Sequence, residues 1–341
     1  MGMSESTMDQ HVLSDVVRLA CRAPSVHNTQ PWRLVAENGE LRLFLDPHRV
    51  PHATDLSGRE SVISCGALLH HLGVAAAAAG WKANVARFPN PNDLDHLATI
   101  DFRRQEFVSE ADQARAGAIL RRRTDRLPFA APAGWSFLEP VLRSTIDDDK
   151  AVLSVLPARV RPQLAEASRL TESLRRYDNS YQAELQWWTA SFEALEAFEG
   201  VPESALASAS ERAKVDVGRV FPAGTQPDRR TQTDHDATDR DAIDHDDSVI
   251  AVLSTDGDGR REALGCGEVL SDVLMEATIA GLATCTLSHM TELDASRAII
   301  RGLTGGAGDP QLLIRIGQVP ALEDPPPPTP RRPLADVLTF R

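Results

Sequence analysis

The sequence predicts an α+β protein assembled from two related halves, and three observations predict it. Long apolar segments recur at helical spacing, short apolar runs end on turn residues as strands do, and two long helices match in one register. Residues 9–23 open the chain with Val12, Val16, Leu19 and Ala20 at helical spacing, and Pro24-Ser25 then stops the helix. Residues 33–46 read as two alternating strands around Asn38-Gly39, the dipeptide suited to a tight hairpin turn. Residues 61–80 read as a long buried helix, whose alanine run at 75–79 is small enough to let another backbone close in. Residues 111–122 are helical and lead into an arginine cluster, while 151–156 and 248–254 read as strands. Asp256-Gly257-Asp258-Gly259 turns into a second long helix at about 262–281, and residues 311–317 form a buried strand before a proline-rich tail.

The two long helices carry the case for duplication. Cys65-Gly66 aligns with Cys266-Gly267 at an offset of 201 residues, and the same offset sets Leu72 on Val273, Ala76 on Ala277 and Gly80 on Gly281. Shared starts and ends point to a repeat, against the rival explanation of two alanine-rich helices matching by composition. The expected division is 1–110 for the first half and 111–341 for the second, with an insertion at about 160–247. Its first part is helical and holds Trp187-Trp188; residues 219–247 are almost free of apolar side chains and rich in acids. Asp234, His235, Asp236, His245 and Asp246 are metal-ligating types, yet nothing apolar surrounds them to fix a geometry. A solvated, mobile loop without metal is expected there, with a lid as the functional alternative.

Bulk properties narrow the function. A formal charge of −13 over 341 residues argues against a general nucleic-acid or anionic-membrane partner, because such surfaces need basic patches. Any anion must sit on a local cluster: Arg121-Arg122-Arg123-Thr124-Asp125-Arg126, or the smaller Arg331-Arg332. The cysteines Cys21, Cys65, Cys266 and Cys285 have neither CxxC nor finger spacing, so buried free thiols are expected. No run of 18 apolar residues and no signal-peptide layout is present, so a cytoplasmic protein without a membrane partner is expected. Gly302–Gly308 fits no GxGxxG after a strand, which removes a dinucleotide-binding reading.

The densest chemistry lies at Ala23-Pro24-Ser25-Val26-His27-Asn28-Thr29-Gln30-Pro31-Trp32. Prolines stiffen the loop, so Ser25, Asn28 and Gln30 are suited to hold a planar heteroaromatic ligand. An ordinary helix-to-strand turn with Ser and Asn as local caps reads equally well from the residues alone. The arginine cluster likewise reads as a phosphate fork or as a solvated helix end.

APSxxNxQPW, matched at seven positions of ten, resembles the flavin-contacting motif of the nitroreductase family. Arg122-x-Thr124-x-Arg126 resembles that family's Arg-x-Ser-x-Arg phosphate motif, with Thr keeping the hydroxyl. Arg331-Arg332, after Ile316, Gly317 and Pro320, resembles its basic C-terminal phosphate contact, and Gly281-Leu282-Ala283-Thr284 its Ala-Gly-Leu-Gly segment beside the ring. The resemblance is nearest the Acg-like branch of dormancy-associated actinobacterial proteins. It implies the FMN-dependent nitroreductase fold, with FMN held by Pro24, Ser25, His27, Asn28, Gln30, Pro31, Trp32 and the residues of the other matched motifs. It implies NAD(P)H as electron donor, reduction of nitroaromatics or quinones, and no catalytic side chain, since flavin N5 carries the chemistry. His27 is a candidate for tuning the flavin. His289 and Cys285 are candidates for its edge, with core packing expected for Cys285.

Ordinary family members carry both motifs near the N-terminus of one short chain and pair as homodimers. Here the first half keeps the Ser/Asn/Gln loop and the second keeps the arginines, while residues 127–135 lack the Asn and Gln. Complementary loss implies one FMN per chain and a monomer that mimics the family dimer. The rival expectation is an FMN store whose insertion seals the flavin from turnover; a metal-binding regulator is the third.

Overall fold

The chain opens with α1 (Gln10–Ala20), capped by Asp9, whose carboxylate accepts the His11 amide at 2.8 Å. The expected hairpin follows as β1 (Trp32–Glu37) and β2 (Glu40–Leu45), with Asn38 at φ 54° and Gly39 at φ 82° closing the turn. The computed structural model describes residues 7–189, 198–202, 205–222, 243–306, 308–319 and 328–341. These fold as two compact units, neither continuous in sequence. The first takes Met1–Arg122, Gly259–Ile279 and Pro330–Arg341, and the second Arg123–Asp258 and Ala280–Thr329.

In the first unit a five-stranded sheet runs β3-β4-β2-β1-β9, adding β3 (Trp81–Arg87), β4 (His96–Arg104) and β9 (Leu338–Phe340). Strand β9 pairs parallel to β1, Leu34 opposite Leu338, and so carries the C-terminal segment back to the first strand. Neither β3 nor β4 is legible in the sequence. Edge strand β3 buries only Trp81 fully and shows no clean alternation.

Helix α2 (Arg59–Ala78) packs on this sheet. It is long and apolar enough to cross a membrane by length and composition, but 78% of that stretch is buried inside the protein. It packs on a second 20-residue helix, Arg260–Ile279, numbered α8 in chain order. A Cβ on Gly66 would stand 2.1 Å from the Leu264 carbonyl oxygen, and one on Gly267 would stand 2.0 Å from that of Ile63. The contact is reciprocal, because Ile63 and Leu264 are related by the same offset of 201 as the glycines. Close approach of the two long helices therefore occurs at the Cys-Gly pairs. Helix α3 (Glu110–Arg121) begins on a Ser109/Asp112 capping box and lies along both long helices. Gln113 Nε2 donates to the Ala78 carbonyl at 3.0 Å, Arg115 pairs with Asp272, and Ala116 and Ile119 pack with Val74 and Met275.

The second unit holds α4 (Trp135–Thr145), β5 (Val152–Leu156), α5 (Arg161–Arg175), α6 (Asn179–Thr189) and α7 (Ala209–Ala213). It continues with β6 (Val249–Thr255), β7 (Ala283–Leu287), α9 (Asp294–Leu303) and β8 (Asp309–Gly317), in an antiparallel sheet ordered β5-β6-β8-β7. Phe129, Leu164, Val252, Cys285, Met290 and Leu313 belong to one core, so Cys285 packs as expected. All four cysteines are buried free thiols.

The acidic stretch differs from expectation where it is described. Asp246 is 3% exposed and accepts from Arg315 Nε at 3.0 Å, from Ser248 Oγ at 2.7 Å and from the Phe129 amide at 2.8 Å, with Arg161 also paired to it. Burial opposes its ionisation, but Arg315 and these donors hold its carboxyl below the usual range. A buried ionic anchor needs no apolar neighbours in sequence, so composition hid it. His245 is exposed and pairs with Asp247 at 3.1 Å. Asp234, His235 and Asp236 lie outside the described residues, and among those described no His/Cys/Asp/Glu group could hold a metal ion.

Candidate functional site

The loop after α1 is built from strain and cross-links. His27 (φ 47°), Asn28 (φ 57°) and Gln30 (φ 50°) all occupy the left-handed region, which costs a non-glycine residue on the order of 1–3 kcal/mol each. Asn and His tolerate it better than most, and Gln30 is the outlier. The surroundings that impose it are visible. Ser25 Oγ accepts the Gln30 amide at 3.1 Å, and the Val26 amide donates to Ser64 Oγ on α2 at 3.0 Å. Gln30 Nε2 donates to the Asn28 carbonyl at 3.2 Å, while its Oε1 accepts the Arg332 amide at 2.9 Å. Asn28 Nδ2 donates to the Pro330 carbonyl at 3.3 Å. The two amides expected to face a ligand thus also tie the loop to the C-terminal segment. Pro24 is half-buried, Pro31 is buried, and Trp32 is fully buried as the first residue of β1.

Beside this loop the last carbonyls of α1 gather guanidiniums. Arg331 Nε donates to the Cys21 carbonyl at 3.0 Å, and its Nη2 donates to Arg22 O at 3.2 Å and Ala23 O at 3.4 Å. Arg122 follows α3, is 8% exposed, and its Nη2 reaches the same Arg22 carbonyl at 3.5 Å. A helix C-terminus attracts cations, so part of this cluster is explained as capping. The rest is not. Arg122 Nε and Nη1 are buried with no hydrogen-bond partner among the described residues. Burial, then the neighbouring Arg22 charge, pulls the Arg122 guanidinium down to about 10. Burial, then Arg22 and Arg122, pulls Arg331 down to about 9. A buried guanidinium with two unused donors, beside the half-buried Arg22 and Arg331, suits an anion. Arg22 belongs to this set and was missed, because one arginine ahead of a proline carries no pattern.

The remaining expected contacts fall into separate local roles. The Arg332 guanidinium donates to the carbonyls of Gln30 at 3.3 Å, Trp32 at 3.4 Å and Asp336 at 2.7 Å, so it clamps backbone. Of the arginine motif only Arg122 joins the cluster of the first unit. Arg126, in the second unit, donates to Ala205 O at 3.2 Å and stacks over Phe221 at 5.2 Å. Thr124 bridges Thr284 at the start of β7, where the Asp125 amide donates to Thr284 O at 2.9 Å. Gly281, at φ 76°, ends α8, Leu282 is half-buried after it, and Ala283 opens β7. His289 is buried, its Nε2 against Ser168 Oγ at 3.0 Å, and burial holds it well below the usual histidine value. Pro320 lies outside the described residues, as do 190–197, 203–204 and 223–242 of the insertion.

A mixed α/β chain with this strained Ser/Asn/Gln loop and this arginine set belongs to the nitroreductase family, as its likeness to known proteins shows. No protein-family model matches it. Two relatives from Mycobacterium tuberculosis carry the name "Putative NAD(P)H nitroreductase". With acg the chain is 52% identical over 339 residues, covering 99% of this chain and 98% of the relative. With Rv3131 it is 37% identical over 347 residues, covering 99% and 94%. Rv3127 of the same organism, whose name assigns no activity, is 51% identical over 97% of this chain and 93% of its own length. Within the family the chain sits in the Acg-like branch.

Proposed function

We propose that the chain is an FMN-dependent NAD(P)H nitroreductase that holds one flavin per polypeptide, the two sequence-related parts doing the work of a paired dimer. One observation carries the cofactor assignment: the buried Arg122, beside the half-buried Arg22 and Arg331, keeps two N–H donors without a partner among the described residues. A phosphate monoester dianion fits it. Each guanidinium offers a fork of donors that meets phosphate oxygens, and two negative charges relieve the repulsion among three cations. Riboflavin without its phosphate leaves that repulsion in place.

The loop from Pro24 to Trp32 lies against the same helix end and supplies the polar contacts to the ring. Its strained backbone fits pre-organisation, since the hydrogen bonds to Ser25, Ser64, Pro330 and Arg332 hold the loop before any ligand arrives. A bound flavin would supply the redox chemistry, taking an electron pair from a reduced nicotinamide and delivering it to a nitroaromatic or quinone. The chain's own residues then bind and orient; no side-chain nucleophile or acid–base pair is required. The names of the relatives support the nicotinamide donor.

The test is anaerobic mixing. Purified protein saturated with FMN is mixed with NADPH or NADH in the absence of oxygen, and flavin absorbance is followed. Rapid bleaching, reversed by a nitroaromatic or quinone, is expected. A flavin that dithionite bleaches but neither nicotinamide touches would mean a store rather than a reductase. Protein that takes up no FMN would overturn the cofactor assignment itself.

A further inference from the structure

Helix α3 runs antiparallel along α2, and that register places a buried histidine at the anion cluster. Gln113 meets Ala78 at one end, and Ala116 and Ile119 pack with Val74 in the middle. One turn further on each helix, three residues along the same face, sets Arg122 opposite His71. Arg122 and Arg331 are both charges that act on His71, which agrees with this placement. The imidazole is 0% exposed, and its Nδ1 lies 2.8 Å from Ser271 Oγ on α8. Its Nε2 is buried and has no hydrogen-bond partner among the described residues. A buried polar atom left unpaired costs about 1–3 kcal/mol, so a partner is called for. Arg122 Nε and Nη1 stand in the same condition beside it.

We propose that His71 is a neutral ligand of the phosphate held by Arg22, Arg122 and Arg331, donating its Nε2–H to a phosphate oxygen. This rests on the flavin reading for the source of the phosphate, but not for the site. The donor sense follows from the pairing. Guanidinium N–H groups and His71 Nε2 do not bond one another here, and an anion offers acceptors to all of them. The Ala67 carbonyl also faces the His71 ring and competes for a proton on Nδ1; with the proton drawn to Nε2 by the anion, Nδ1 accepts from the Ser271 hydroxyl. Ser271 has one hydrogen to give, so His70, whose Nδ1 lies 2.9 Å from the same oxygen, must donate to it. His70 Nε2 is 3.7 Å from Asp272, which in turn pairs with Arg115. The hydrogen bonds then run in one direction, from His70 through Ser271 to His71 and the anion, and Ser271 is a positioning residue that sets the tautomer. Burial and the adjacent arginines keep His71 well below the ordinary histidine value, so it donates without adding a fourth charge.

The experiment compares wild type, His71→Phe and His71→Asn for FMN, riboflavin and inorganic phosphate, by flavin fluorescence and calorimetry. His71→Phe is expected to weaken FMN and inorganic phosphate about tenfold or more, the loss of one hydrogen bond to a charged group, while riboflavin is unaffected. His71→Asn, which keeps a donor amide, is expected to recover part of that loss. Equal affinities for FMN and phosphate in wild type and His71→Phe would overturn the inference. Wild type that takes inorganic phosphate but no FMN, with phosphate weakened by His71→Phe, would support it while sinking the flavin reading. The wild-type protein alone gives an independent readout. Nitrogen-15 resonances of His71 in the phosphate-loaded protein are expected to show Nε2 protonated and Nδ1 bare; the reverse tautomer would refute the donor role.

Discussion

Replacing Arg122 by Met separates binding from folding, because the two consequences have opposite signs. Burial, then the charge of Arg22, lowers the Arg122 guanidinium to about 10. A shift of that size is on the order of 3 kcal/mol spent on the charged form. Methionine fills the space of the stem and carries no charge, so the ligand-free variant is expected to melt above the wild type. With FMN bound, the two unpartnered donors, Nε and Nη1, become hydrogen bonds to phosphate, each worth about 1.5–3 kcal/mol. The variant is therefore expected to bind FMN at least about 100-fold more weakly, and adding FMN should move its melting temperature far less than that of the wild type. The pH dependence follows from the sign of the shift. Below about 10 the group is charged in both folded and unfolded chains and the penalty is full; as pH rises through about 10 the folded chain sheds its proton before the unfolded chain does, so the penalty fades. Paired thermal melts with and without FMN read both effects. A methionine variant less stable without ligand, yet unchanged in FMN affinity, would refute the view of Arg122 as a poised anion ligand.

Other substitutions test the frame around the site. Gly267→Ala is expected to cost several kcal/mol, since its Cβ would fall 2.0 Å from the Ile63 carbonyl oxygen, whereas Gly73→Ala, with open space around it on α2, should gain roughly 0.5–1 kcal/mol; urea unfolding ranks the pair, and equal effects would remove the helix contact as a constraint. Gln30→Ala removes the bond to the Arg332 amide and puts alanine at φ 50°, so a loss of about 1–3 kcal/mol and faster proteolysis of the C-terminal segment are expected. Asp246→Asn breaks a buried ion pair with Arg315 and is expected to cost about 3–5 kcal/mol at neutral pH. Because the folded value of Asp246 lies below the usual carboxylate value of 3.8, that contribution is present above it and is lost as pH falls through the folded value. The melting temperatures of wild type and Asp246→Asn should therefore converge in strong acid.

Local patterns were sufficient for α1, the Asn38-Gly39 hairpin, both long helices and the strands β5, β6 and β8, because each is decided by apolar spacing or turn chemistry within a few residues. The loop motif and the arginine cluster were visible as residue types. Strands β3, β4, β7 and β9 were not, since they are short or unevenly buried and owe their conformation to their sheet neighbours. Asp246 was misread as part of a solvated stretch because its partner Arg315 lies 69 residues away.

The sequence by itself determined the first hairpin, the long helices and three strands of the second sheet, that two helices share a register, and that a Ser/Asn/Gln loop and a basic cluster are the places for chemistry. Tertiary structure decided which charges meet. It set Arg331 and Arg122 on the carbonyls that follow α1, engaged Arg332 on backbone carbonyls, and buried His71 with its Nδ1 against Ser271. The physical reason is that hydrogen-bonding patterns and apolar periodicity act over a few residues. The repulsion among these guanidiniums, by contrast, depends on distances that exist only after segments a hundred or more residues apart have packed.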